Sequence, residues 1–385
     1  MTDSEARSIS STGSGAVFDG NGDRRQTLVA VFLRGGADGL NMVAPLEDDG
    51  YRKARPRIAI TKGQAIKLDD FYGLNPLLGE LERPYKDGDL AVIHAVGSED
   101  STRSHFEAQD LMEHGGLLTS GGWLGRFLRA LPEGANGPLS AVAVGKNVPE
   151  CLRGAPASTV MESLDSFSLG KKAERMRVAL EKLYALDTGQ LGSVARDTLG
   201  AMKRIEKLRS ENYAPANGAQ YQNDGFGMGM EQIARLIKAR VGLISVSIDL
   251  NGWDSHFVQS SVMDPLMPRL ARGLSAFRTD LGREMEDTTV VVMTEFGRRV
   301  YENASFGTDH GRGSVMFVMG GGVKGGRVVA DWPTLNEDVL EGPGDLPVTT
   351  NYRDVLAPAL SRFGINGKLS EVFPNYELKP MDLFG

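Results

Sequence analysis

Cysteine is almost missing from this chain: Cys151 is the only one in 385 residues. One thiol excludes an internal disulfide and a thiolate zinc cluster, and it leaves the compartment open. Histidine is scarce as well, with five copies, so any gathering of them carries information. No block of five or more basic residues occurs and the formal net charge is −7, which argues against nucleic acid as the main partner. No apolar run is long enough to span a bilayer, and no internal repeat is found. What is present is 41% hydrophobic and 24% charged residues, the make-up of a soluble globular protein. The length suits one large α/β domain or two ordinary ones.

Residues 1–26 are rich in Ser, Gly and Asp and read as a disordered N-terminal segment. Arg24-Arg25 precede LVAVFL and faintly resemble a twin-arginine export signal. The apolar run is too short for one and no small-residue cleavage site follows, so it reads as the first core strand. The chain as written therefore reads as cytoplasmic, or periplasmic if an export signal has been removed. DGNGD (19–23) is not a calcium loop, because Arg24 stands where the loop needs glycine and Val31 where it needs glutamate.

Six runs read as buried strands: LVAVFL (28–33), LAVIHAV (90–96), LSAVAV (139–144), LISVSIDL (243–250), TTVVVMTEF (288–296) and VMFVMGG (315–321). Helical patterns alternate with them, at 172–212 in two pieces, at 231–242 and from Pro265 to Met285. The fold class that follows is α/β, with a mostly parallel central sheet and helices on both faces. Residues 145–170 and 213–228 read as irregular surface insertions. The predicted organisation is a single domain over 27–385 with a helical and loop cap at about 145–228, covering the sheet's ligand-binding edge.

Ligands of open α/β sheets sit beyond the carboxyl ends of the strands. Ionisable residues collect at those places here. Asp38 follows the first strand. Ser101, Thr102, Arg103 and His105 follow the second. Asp254 and His256 follow LISVSIDL, and Glu295 and Arg298 close TTVVVMTEF. Asp309 and His310 stand just before VMFVMGG, so a parallel sheet would bring three of the five histidines to one rim. Carboxylates and imidazoles suit zinc, manganese or similar ions, arginine suits a phosphate or sulfate oxygen, and a hydroxyl beside a metal can be a nucleophile.

Plainer readings stand beside these. Asp38 either caps a following helix or is held by the Gly35-Gly36 turn to grip a cation. Ser104 and Glu107 fit a capping box, which is compatible with an anion site at the same helix start. His94 lies inside a strand and reads as core, and His114 as a helix-end residue. GGGVKGGRV (320–328) lacks the ending of a phosphate loop and reads as a turn.

FLRGGADGLN, TRSHFEAQDLMEHG, NGWDSH, VVVMTEFGRR, GTDHGRGSVMFVMGGGVKGGRV and NYRDVLAPAL together resemble the bacterial family catalogued as domain of unknown function 1501, over about residues 27–375. That family is grouped with the alkaline-phosphatase-like superfamily of phosphatases, sulfatases and mutases. The resemblance implies an alkaline-phosphatase-like α/β fold and, by analogy, a hydrolase with one or two divalent ions, zinc first, manganese or calcium otherwise. It implies Asp38, Asp254, His256 and His310 as metal ligands, with Glu295 and Asp309 further candidates. Thr102, or Ser101, takes the nucleophile's place, Arg103 that of an anion clamp, and His105 that of an acid or base. One departure is plain: where the superfamily has an Asp-His pair, this chain has Glu295 and Phe296, and phenylalanine cannot ligate. The expected substrate is a small anionic phosphate or sulfate ester. The alternatives are a non-catalytic scaffold that kept the fold, and a one-metal esterase-type hydrolase.

Overall fold

The computed structural model describes residues 26–117, 119–166 and 173–385. The expectations for Arg24-Arg25, for DGNGD and for a disordered N-terminus lie outside these residues, apart from Gln26. The main sheet has nine strands: β1 (Thr27–Arg34), β2 (Leu90–Gly97), β3 (Ala141–Val144), β4 (Thr159–Met161), β5 (Ser245–Asn251), β6 (Thr288–Met293), β7 (Ser314–Gly320), β8 (Arg327–Val329) and β9 (Thr350–Asn351). Their order is β8-β2-β7-β6-β1-β5-β3-β4, with β9 also on β2. All six strands read from the sequence are present. The three extra ones are two or three residues long, too short to show a period. Three short segments near residues 43, 66 and 72 form a separate antiparallel sheet.

Side chains alternate across each strand, and β1 shows what that does. Val29, Val31 and Leu33 join a core with helices α5 (Gly225–Lys238) and α6 (Gln259–Leu281). Leu28, Ala30 and Phe32 join the opposite core, with α2 (Trp123–Ala130) and α7 (Tyr352–Ser361). A strand buried on both faces must be apolar throughout, which is why LVAVFL carries no polar alternation.

β7 runs antiparallel to both its neighbours, β2 and β6, and every other strand of the sheet runs with β1. This corrects the basis on which His310 was placed. A residue before a parallel strand would lie at the far edge; the reversal of β7 is what brings its leading loop to the carboxyl rim of β1, β2, β5 and β6.

The helical pair of the insertion is present as α3 (Ala173–Ala185) and α4 (Gln190–Ser210). Its position differs from expectation. Arg196, Gly200 and Arg204 of α4 line a cavity of about 610 Å³ together with Thr27, Leu243 and Thr288, at the amino ends of β1, β5 and β6. This part of the insertion therefore faces the edge opposite the ligand rim. Residues 213–228 also hold more structure than expected, because α5 begins at Gly225, where the Asp224 carboxylate accepts the Phe226 and Gly227 amides. Among the described residues no helix is long and apolar enough to cross a membrane.

His94 is fully buried in β2 and stacks on Tyr72. Its Nε2 donates to the Val43 carbonyl and its Nδ1 accepts the Ala95 amide. Burial pulls its pKa from 6.5 down to about 4, against the opposing pull of the Val43 carbonyl. The unfolded chain therefore takes up a proton in a range where the folded one does not. Stability from this group is complete above pH 6.5 and falls by roughly 3 kcal/mol as pH drops to 4. In urea titrations between pH 7 and 4.5, His94→Gln is expected to show a shallower acid loss than the parent; an identical slope would refute the assignment.

Candidate metal centre

The rim is built from four chain segments. Helix α1 (His105–His114) starts just beyond β2, with Ser104 as its cap: the Ser104 hydroxyl accepts the Glu107 amide, and Gly115 ends the helix at φ +74°. Glu107 does not complete the box, since its carboxylate accepts the Thr102 hydroxyl instead, at 2.7 Å. The loop after β5 carries Asp254 and His256. The loop before β7 carries Asp309 and His310. The end of β6 supplies Glu295.

Four of these side chains meet. The Asp254 Oδ1 atom lies 3.4 Å from His105 Nε2, 3.3 Å from His256 Nε2 and 3.5 Å from His310 Nε2. The ligand atoms of His105, Asp254 and His310 all lie within 4.8 Å of one another. His256 Nε2 is only 2.8 Å from His310 Nε2.

The far side of each ring decides what this means. His105 Nδ1 donates to Glu295 Oε1 (2.8 Å), His256 Nδ1 to Asp309 Oδ1 (3.2 Å) and His310 Nδ1 to the Arg103 carbonyl (2.6 Å). Carboxylate and carbonyl oxygens only accept, so all three Nδ1 atoms carry the proton. In the neutral rings each Nε2 is then a lone pair, and three of them converge beside one carboxylate. His105 Nε2 is buried with no hydrogen-bond partner. His310 resists a second proton: burial lowers its pKa, and so do the charges of Arg298, His105 and His256, against the Arg103 carbonyl. Converging lone pairs and a carboxylate, with each imidazole anchored from behind, are a candidate donor set that could hold a divalent cation.

The surrounding carboxylates stay charged. Burial alone would push Glu295 up, but His105, Gln109 and the Gly35 amide all donate to it and hold its pKa below the ordinary value. Burial likewise opposes, and Arg298 outweighs it in lowering, the pKa of Asp254. For Asp309 burial is outweighed by His256, Asn303 and Arg299. Outer-shell partners typically change metal affinity by about 10–100-fold. Glu295→Gln is therefore expected to weaken ion retention by about that factor in a chelator competition; unchanged retention would dismiss the anchoring role.

Other expected residues lie elsewhere. Asp38 is fully buried and paired with Arg55 at 2.6 Å, and its Oδ2 also accepts from Gln259. Its cation is thus a guanidinium from its own chain, and it makes no side-chain cap either. Glu295 and Asp309 stand behind histidines instead of among the converging atoms. The Arg103 guanidinium is tied to buried Asp345 at 2.5 Å, so the expected clamp is already engaged. Thr102 gives its proton to Glu107, and Ser101 is exposed at the surface. Phe296 stacks on His105 (4.8 Å between centroids) and lies against His310 (5.0 Å), which makes an apolar wall at the position already noted as unable to ligate.

The Gly35-Gly36 turn acts through closeness. Gly35 has φ +121°, and a Cβ there would lie 2.6 Å from the Asp254 amide nitrogen. Buried Arg298 closes the same turn, donating to the Gly36 carbonyl and to Asp254. Sequence reading passed over Gln109, Arg55, Gln259 and Asp345. Only Gln109 had a usable signal, since it lies four residues after His105 on the same helical face. A second group, Asp110, His114 and Glu150, lies at the surface, where Arg153 already pairs with Glu150.

Comparison with solved structures gives distant likenesses. The C-terminal periplasmic domain of EcEptC from Escherichia coli, in complex with Zn, is 10% identical, with 79% of this chain and 75% of that one covered and a TM-score of 0.38. A protein in the alkaline phosphatase superfamily from Vibrio parahaemolyticus is 11% identical, with 91% and 72% covered and a TM-score of 0.39. Alkaline phosphatase from the Antarctic bacterium TAB5 is 9% identical, with 92% and 100% covered and a TM-score of 0.31. No curated protein matches the chain. Residues 91–375 match the family described as "Protein of unknown function (DUF1501)", a span that takes in His105, Asp254, His256 and His310 but not the FLRGGADGLN turn, and the chain belongs to that family.

Proposed function

We propose that this protein is a metal-dependent hydrolase of a phosphate or sulfate ester, working with a single divalent ion held by His105, Asp254, His256 and His310. The observation that carries the reading is the convergence of three Nε2 lone pairs on Asp254 Oδ1. An ion bound there supplies Lewis acidity, which polarises an ester oxygen and acidifies water. The chain's own groups set the stage. Glu295, Asp309 and the Arg103 carbonyl fix the three rings, and Arg298 fixes Asp254. The wall made by Phe296 favours one ion over two. The Thr102 proton is directed to Glu107 and not to a histidine, which supports water over Thr102 as the attacking group.

Charge supports an anionic substrate. Four carboxylates (Asp254, Glu295, Asp309, Asp345) face three guanidiniums (Arg103, Arg298, Arg299) around the centre. They leave one negative charge in excess, and a divalent ion reverses that sign.

The test is metal analysis of the purified protein, then assay with p-nitrophenyl phosphate, bis(p-nitrophenyl) phosphate and p-nitrophenyl sulfate. Zinc, manganese and calcium would each be added in turn. About one equivalent of ion and turnover of at least one ester are expected. A protein that retains no ion and leaves every ester intact would be a scaffold that has kept the fold.

A further inference from the structure

Four large apolar side chains stand exposed on the three segments that carry the histidines of the centre. Phe106 follows His105 and is 87% exposed; Phe257 follows His256 and is 71% exposed. Val258 and Phe306 are about half exposed. Single exposed apolar residues are ordinary. Here two sit one residue from a converging imidazole, and the other two are fastened to the same loop. The Val258 amide donates to the Ser305 carbonyl and the Gln259 amide to the Phe306 carbonyl, both at 2.8 Å.

The backbone shows that this arrangement is held against preference. Val258 has φ +40° and Phe306 φ +58°. The left-handed region is costly for a β-branched or bulky residue and persists only where surrounding contacts impose it. Gly307 makes those contacts possible, because a Cβ there would lie 2.2 Å from the His256 carbonyl oxygen. Asn303 adds a hydrogen bond to that same carbonyl, at 2.9 Å. The Arg57 guanidinium covers one face of Phe306, 4.1 Å from its centroid, and leaves the rest of the ring open.

We propose that Phe106, Phe257, Val258 and Phe306 bind the organic part of the substrate, which makes the substrate an ester of an aryl or long-alkyl alcohol. This rests on the hydrolase reading of the same centre. The anionic end meets the charged floor, and the apolar end displaces water from the aromatic rim. Small polar esters would touch only the floor.

The test is calorimetric titration of the full-length, metal-loaded protein with 1-naphthyl and methyl phosphate, repeated with the two sulfates. The naphthyl ester is expected to bind about ten-fold or more tightly than its methyl counterpart, in line with the burial of one aromatic group. Phe106→Ser and Phe257→Ser should each shrink that ratio several-fold, with metal content as the check on folding. The proposal is overturned if naphthyl and methyl esters bind alike, if neither binds, or if the ratio survives in the double variant. Equal binding together with Phe257-dependent sedimentation on phosphatidylcholine vesicles would assign the rim to a membrane and also overturn it. The readout does not require turnover. Tight naphthyl binding without hydrolysis would sink the hydrolase and keep the rim, and hydrolysis without preference would do the reverse.

Discussion

His256→Ala is expected to leave the purified protein with almost no bound divalent ion and no measurable ester hydrolysis. His256 Nε2 faces both His310 Nε2 and Asp254 Oδ1, so its loss removes one of the converging donors. The remaining donors are two imidazoles and one carboxylate, and the affinity loss should exceed the roughly 10–100-fold of an outer-shell change. His310→Ala should behave in the same way. Stability should move far less than ion content, because both rings are partly exposed and deleting them opens no core cavity. Ion content by mass spectrometry and a urea midpoint decide the matter together. A variant that keeps its full equivalent would show that the converging atoms are not ligands.

The second large effect lies in stability. Arg55→Met should cost about 3–5 kcal/mol, the range for removing one partner of a buried ion pair. Both members are fully buried, and Arg55 also donates to the Val300 and Arg299 carbonyls. Its loss strands the Asp38 carboxylate, whose Oδ1 already lacks a partner, with only Gln259 beside it. Asp38→Asn should also destabilise, and neither variant should change ion content. This pair of results separates a structural aspartate from a ligating one. If Asp38→Asn keeps its urea midpoint and loses its ion, the role given to Arg55 is wrong and Asp38 belongs to the centre.

How much of this was legible beforehand varies residue by residue. The six long strands were readable because strands buried on two faces must be continuous apolar runs, and their ends named the rim. Asp254-Ser255-His256 could be placed as soon as its strand was found. The direction of β7 could not, because an apolar run reads the same in a parallel or antiparallel neighbour; His310 was assigned to the rim on a premise the sheet does not share. Carboxylate roles were beyond reach for another reason. Asp38 and Glu295 both end strands, and sequence shows that position without showing which cation or donor arrives opposite. Arg55 and Gln259 answered for Asp38, and His105 with Gln109 for Glu295. The α3–α4 pair was visible as helices, but nothing in an amphipathic pattern says at which end of a sheet a hairpin will settle.

The reversed β7 has a consequence for the order in which the protein is made. Its leading loop carries His310, and β7 itself fits between β2 and β6, pairing with both. β2 leaves the ribosome long before β7 and β6 only shortly before it, and the sheet stays split between them until β7 arrives. Any ion the centre takes is therefore a late guest, received after about four fifths of the chain has been synthesised. A ribosome-stalled chain ending before Ser314 should be unable to hold it.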